Sequence, residues 1–115
     1  MLCFLTVRKL KPGTYESFRE AWQPSDEEMQ MDEMRRFTQI FQLRRLDDPD
    51  EVISFGLYDG DASDLERMRT NERMGEIREE QLERVNRSVE SIGADGVYEV
   101  VEIIEPAKIA ASRQN

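Results

Sequence analysis

Each strand-like run in this chain is apolar on both of its faces, although the chain as a whole is strongly polar. Leu2, Phe4 and Thr6 alternate with Cys3, Leu5 and Val7; Ile53, Phe55 and Leu57 with Val52 and Tyr58; Val97, Val101 and Ile103 with Tyr98, Val100 and Ile104. A sheet with two apolar faces needs two covers. The sequence carries enough amphipathic helix for one, so the other face is expected to meet a second copy of the chain.

The hydrophobic period switches in the order strand, helix, strand, strand, helix, strand. Residues 2 to 10 read as the first strand. Pro12-Gly13-Thr14 then turns the chain into a helix in which Tyr15, Phe18 and Trp22 recur at i, i+3 and i+7. Pro24 stops it. Ser25 with Glu28 reads as a capping box for a short acidic helix through Arg35, whose Met29, Met31 and Met34 suit a lid better than a core.

Residues 37 to 46 and 52 to 58 read as a hairpin around Asp47-Asp48-Pro49-Asp50. A second capping box, Ser63 with Glu66, opens a helix carrying Leu65 and Met68 inward, weakened at Thr70-Asn71 and Gly75. Its continuation over residues 72 to 92 puts Ile77, Leu82, Val85, Val89 and Ile92 on one stripe, with Glu80/Arg84 and Glu83/Arg87 outside and Gly93 as the residue after the helix. Residues 97 to 104 read as the last strand, ending at Pro106, and the rest as a patternless tail or an arm over a partner. The expectation is an α+β, ferredoxin-like βαββαβ sandwich over residues 1–105 with a tail at 106–115. Its four-stranded antiparallel sheet would carry helices on one face and dimerise through the other into an α/β barrel.

Composition narrows the function classes. With 115 residues the chain is one domain, and with one cysteine and no histidine it has neither an internal disulfide nor the usual transition-metal and heme ligands. Cys3 reads as a small buried hydrophobe. The net charge of −9 with no run of basic residues argues against nucleic acid and membrane surfaces. No targeting segment or membrane-length apolar run is visible, which makes the cytoplasm the expected location.

Catalytic motifs are absent. Asp59-Gly60-Asp61 with Ser63 resembles a calcium loop only until Asp64 and Thr70 stand where glycine and a bidentate acid are needed, and helix capping explains the segment better. What remains is an aromatic pocket. Trp22, Tyr15 and Phe18 from the first helix, with Phe4, Tyr58 and Tyr98 from the sheet, are the candidates to stack a flat apolar ligand, although aromatic residues at helical spacing are more often plain core. Arg8 or Arg44 at a strand end would meet an anionic group, and Tyr58 or Tyr98 would serve proton transfer.

The chain resembles the dimeric α/β barrel superfamily and, within it, antibiotic biosynthesis monooxygenase-like domains. The resemblance rests on Phe4-Leu5-Thr6-Val7, Lys11-Pro12-Gly13-Thr14-Tyr15, Phe18-Arg19-Glu20-Ala21-Trp22, Asp48-Pro49-Asp50-Glu51-Val52-Ile53-Ser54 and Asp95-Gly96-Val97-Tyr98-Glu99-Val100-Val101, and spans residues 2 to 104. It implies a homodimer with a pocket in each protomer between helices and sheet. It also implies a polycyclic aromatic substrate or heme there, and use of oxygen without a metal or flavin supplied by the protein. Several such proteins use an Asn, Trp and His set. This chain has no histidine, Asn71, Asn86 and Asn115 fall outside the first strand, and Trp22 lies on the first helix, so that set does not transfer. Three readings follow: a cofactor-free oxygenase, a non-catalytic small-molecule binder, and a structural dimer.

Overall fold

The computed structural model describes residues 1–114. Its elements in chain order are β1 (Leu2–Leu10), α1 (Tyr15–Trp22), α2 (Asp26–Met29), α3 (Asp32–Arg35), β2 (Phe37–Arg45), β3 (Asp48–Tyr58), α4 (Ala62–Thr70), α5 (Glu72–Asn86), β4 (Val89–Glu99) and α6 (Pro106–Arg113). The strands form one antiparallel sheet in the order β2-β3-β1-β4, with β1 hydrogen-bonded on both sides. This is the split βαβ arrangement read from the period switches.

Side-chain alternation divides the sheet. Phe4, Thr6, Arg8 and Leu10 of β1 share a face with Gly56, Ser54 and Val52 of β3, and on this side Leu10, Phe18, Val52 and Val85 form the fully buried core between α1, α5 and the sheet. On the other side Cys3, Leu5 and Val7 lie beside Leu57, Phe55 and Ile53, with Tyr98 next to Cys3. Phe41 stacks on Phe55 at 4.6 Å between ring centroids, next to Leu43. Among the described residues no helix covers this second face, and Leu43 and Tyr98 are 43% and 48% exposed.

The last third of the chain departs from the expected boundaries. The helix ends at Asn86 rather than 92, and Val89, Ile92 and Gly93 belong to β4. The cause is a doubly bulged pairing. Leu10, Arg8 and Thr6 of β1 lie opposite Val89, Ile92 and Asp95, so two residues of β1 are matched by three of β4, twice in succession. On a bulged strand, residues three apart share a face, and that spacing imitates a helical stripe. β4 also stops at Glu99, not 104, after a last ladder bond from Val100 N–H to the Met1 carbonyl. Val101, Ile103 and Ile104 continue as an extended segment, 86%, 66% and 63% exposed, into the exposed α6, where the sequence showed no pattern. Asn115 lies outside the described residues.

Three smaller differences are local. The acidic helix over 25–35 is two single-turn helices, α2 and α3, because Gln30 and Met31 break it. The hairpin turns at Leu46-Asp47, and Asp48 already pairs with Arg45. The cap of α4 is Asp61 with Asp64, not Ser63 with Glu66: Asp61 accepts from the Ser63 and Asp64 amides, and Asp64 accepts from the Asp61 amide. The chain does break at Asn71, which caps α5 through Met74 N–H, whereas Gly75 sits inside α5.

Candidate functional site

Between the helix-bearing face of the sheet and the α2–α5 layer lies a cavity of about 320 Å³. Its floor is Phe4, Thr6 and Arg8 of β1 with Ser54 and Gly56 of β3, Phe37 and Ile40 of β2, and Ile92 and Asp95 of β4. Trp22, Pro24, Glu28 and Met34 close one side, while Met68 of α4 and Met74, Ile77, Arg78, Gln81, Leu82 and Asn86 of α5 close the other. The lining is mainly apolar and aromatic with a few polar groups, the makeup of a small-molecule site. Three methionines in the lining, Met34, Met68 and Met74, give it an adaptable wall.

The polar groups are organised around Arg8. The residue is 7% exposed, Nη1 donates to Ser54 Oγ at 3.3 Å, and the guanidinium lies 5.6 Å from the centre of the Phe18 ring. Ser54 in turn donates to Gln42 Oε1 at 2.6 Å. Arg8 Nε has no hydrogen-bond partner and is the only such buried side-chain nitrogen or oxygen among the described residues. Burial lowers the Arg8 pKa, and the field of Asp95 raises it in part. Asp95 is occupied by the Thr6 hydroxyl at 2.8 Å. The cavity therefore contains a buried cation whose compensation is incomplete, a natural partner for an anionic ligand oxygen.

Glu28 stands on the lid side. Its backbone N–H completes the Ser25 cap at 3.1 Å, but the reciprocal bond of a capping box is missing. The side chain instead lines the cavity, in a residue only 7% exposed. Burial pushes its carboxyl pKa up, against the field of Arg84. The lid itself is tied down at its surface. Arg73 of α5 grips Glu27 through Nε and Nη2 at 2.9 and 2.5 Å, Asn71 donates to Glu33 at 3.0 Å, and Arg36 pairs with Asp64 at 2.8 Å. Gln81 Nε2 donates to the Trp22 carbonyl at 2.7 Å, fixing the end of α1 against α5.

Of the residues expected to form the site, Phe4, Trp22 and Arg8 line the cavity. The others do different work. Phe18 is core, and Tyr15 packs on that core beneath the Arg44 guanidinium, 4.7 Å from its ring centre. Arg44 thus stacks at the surface of α1 and does not line the cavity. Tyr58 is 1% exposed in an edge-to-face trio with Phe4 and Phe37, and burial raises its pKa. Tyr98 lies on the open face. Sequence reasoning missed Thr6, Ser54, Asp95 and Glu28. The signal for the first three was their place on one face with Arg8, and for Glu28 an explanation as a cap that left its side chain unexamined.

No protein-family model and no curated protein matches the sequence. Solved structures do. A Nitrosomonas europaea protein named as a candidate antibiotic biosynthesis monooxygenase superposes with a TM-score of 0.62 at 15% identity, over 89% of this chain and 100% of its own. A Deinococcus radiodurans protein named the same way gives 0.61 at 13%, over 91% and 97%. The fold is ferredoxin-like. An uncharacterized NIPSNAP domain protein from Burkholderia xenovorans, at 0.55 and 11% over 91% and 99%, shares this architecture under a different name. Identities of this size establish the ferredoxin-like fold alone, and chemistry has to be argued from the site. Among the described residues no helix is long and apolar enough to cross a membrane.

Proposed function

We propose that this chain is a cytoplasmic homodimer whose cavity takes a flat, largely apolar small molecule carrying an anionic oxygen, and that it oxygenates an aromatic, polyketide-like compound of this kind. The observation that carries the reading is Arg8, a nearly buried cation with an unpaired Nε in a mainly apolar, aromatic-lined cavity. In such a site Arg8 would hold an aryloxide or enolate, the electron-rich form of the substrate that reacts with dioxygen directly. The names of the structural neighbours support the reaction class. The apolar sheet face opposite the helices supports the dimer, since its apolar side chains run across all four strands and those on the two edge strands, Leu43 and Tyr98, are exposed. A second reading, a binder without turnover, is favoured by the lack of any histidine in the chain.

Three measurements test this. Trp22, the only tryptophan, lines the cavity, so titration with 2-naphthoate should change its fluorescence to saturation at one ligand per protomer. Oxygen consumption with a dihydroxynaphthalene separates the oxygenase from the binder. An unchanged Trp22 signal at millimolar ligand would remove the site reading. For assembly, sedimentation equilibrium should give a dimer at micromolar concentration, and Leu43→Lys with Tyr98→Lys, both half exposed in the protomer, should convert it to folded monomer. A wild-type monomer would overturn the dimer.

A further inference from the structure

Of the ionisable residues that line this cavity, two of opposite sign are buried, each only 7% exposed: Arg8 on the sheet and Glu28 on the lid. They do not pair. Arg8 spends Nη1 on Ser54 and leaves Nε unused, while the Glu28 carboxylate has no hydrogen bond and no ion pair among the described residues. Other cations do not satisfy it either, since Arg84 of α5 acts through its field alone and Arg78 of α5 lines the cavity without bonding to it. Burying a charge without a partner is costly, and this cavity holds two of opposite sign that do not pair with each other. A lid glutamate that only capped α2 would have turned back to the Ser25 amide.

Resting on the binding reading above, we propose that Glu28 is the second anchor of the site. The ligand class is then a flat hydroxylated aromatic acid or its equivalent: an anionic oxygen at Arg8, an apolar ring system across the cavity, and a hydroxyl that donates a hydrogen bond to the Glu28 carboxylate on the lid side. Such a ligand gives both groups a partner at once, and an analogue lacking the hydroxyl leaves the Glu28 carboxylate without one. Sites built to receive a hydroxyl reject the analogue without it for this reason.

The test compares 2-naphthoate with 6-hydroxy-2-naphthoate, whose hydroxyl lies across the ring system from the carboxylate, by calorimetric titration of the full chain. The hydroxylated probe should bind about ten- to a hundredfold more tightly, as a hydrogen bond to a charged acceptor implies. Glu28→Met, close in volume and at home among the cavity methionines, should abolish that preference while 2-naphthoate binding persists. Glu28→Gln, which keeps a neutral acceptor, should retain only a few-fold preference. Equal affinity of the two probes for the wild-type chain, or a preference that survives intact in Glu28→Met, overturns the assignment of Glu28. Failure of both probes to bind overturns the cavity reading itself, and the role of Glu28 with it.

Discussion

Replacing Arg8 by methionine should leave the protein as stable as before, or more so, while removing its ligand affinity. The losses are modest. The Nη1 bond to Ser54 is long at 3.3 Å, worth about 0.5–1.5 kcal/mol net. The contact above the Phe18 ring, at 5.6 Å from its centre, is worth about 0.5–2 kcal/mol. Against these stand the release of a buried, unpaired Nε–H donor, about 1–3 kcal/mol, and removal of an ion whose burial costs several more. Methionine keeps the contact with Phe18. No new orphan appears, because Ser54 retains Gln42 and Asp95 retains Thr6. The gains are at least as large as the losses, so the variant should melt at or above the wild-type temperature. Circular dichroism melts at one fixed protein concentration measure it, since the midpoint of the proposed dimer would move with concentration. Affinity for 2-naphthoate should fall at least tenfold. A melting temperature lowered by more than about 5 °C would show that Arg8 is a structural residue, and the functional argument built on it would fail.

Gly56→Ala should destabilise the chain by about 1–3 kcal/mol in urea unfolding, because a Cβ there would stand 2.9 Å from Phe37 Cδ1, inside the trio with Phe4 and Tyr58. Glu28→Gln should stabilise the free protein at neutral pH. The folded carboxyl pKa is raised above its ordinary 4.5 by burial, so its stabilising contribution is full below that value and is lost as pH rises through the folded one; melts should converge below about pH 4. Asp61→Ala should lower the melting temperature at pH 7. The Ser63 hydroxyl and the Asp64 amide hold this carboxyl at about 2, below its ordinary 3.8, so the stabilisation is present above that value and the gap from wild type should close as pH falls through about 2. A gap that persists unchanged at pH 2 would show that capping charge is not the cause.

The parts of the fold written in local period were legible. β1, α1 and the β2–β3 hairpin follow from alternation and turn residues, and the break at Asn71 from a residue that prefers caps. β4 was not, because its bulges at Glu90 and at Gly93-Ala94 give Val89, Ile92 and Asp95 a spacing of three that no rule of strand alternation contains. The pocket was half legible. Its aromatic walls show as apolar periodicity, but Phe18 and Tyr58 carry the same signal and are core, since periodicity reports burial and not what lies against the buried face. Glu28 was hidden by a sufficient local explanation. Only the missing return bond to Ser25 frees its side chain for another role.

In β1 the two faces of the molecule are written in alternate letters, with Phe4, Thr6 and Arg8 on the cavity side and Cys3, Leu5 and Val7 on the bare one. A point substitution can therefore retune either surface without touching its neighbour. An inserted or deleted residue in the middle of β1 does something else: it exchanges them, swinging the buried cation onto the apolar back of the sheet and an aliphatic side chain into its place. The strand is free to change what it spells, but not how many letters it uses.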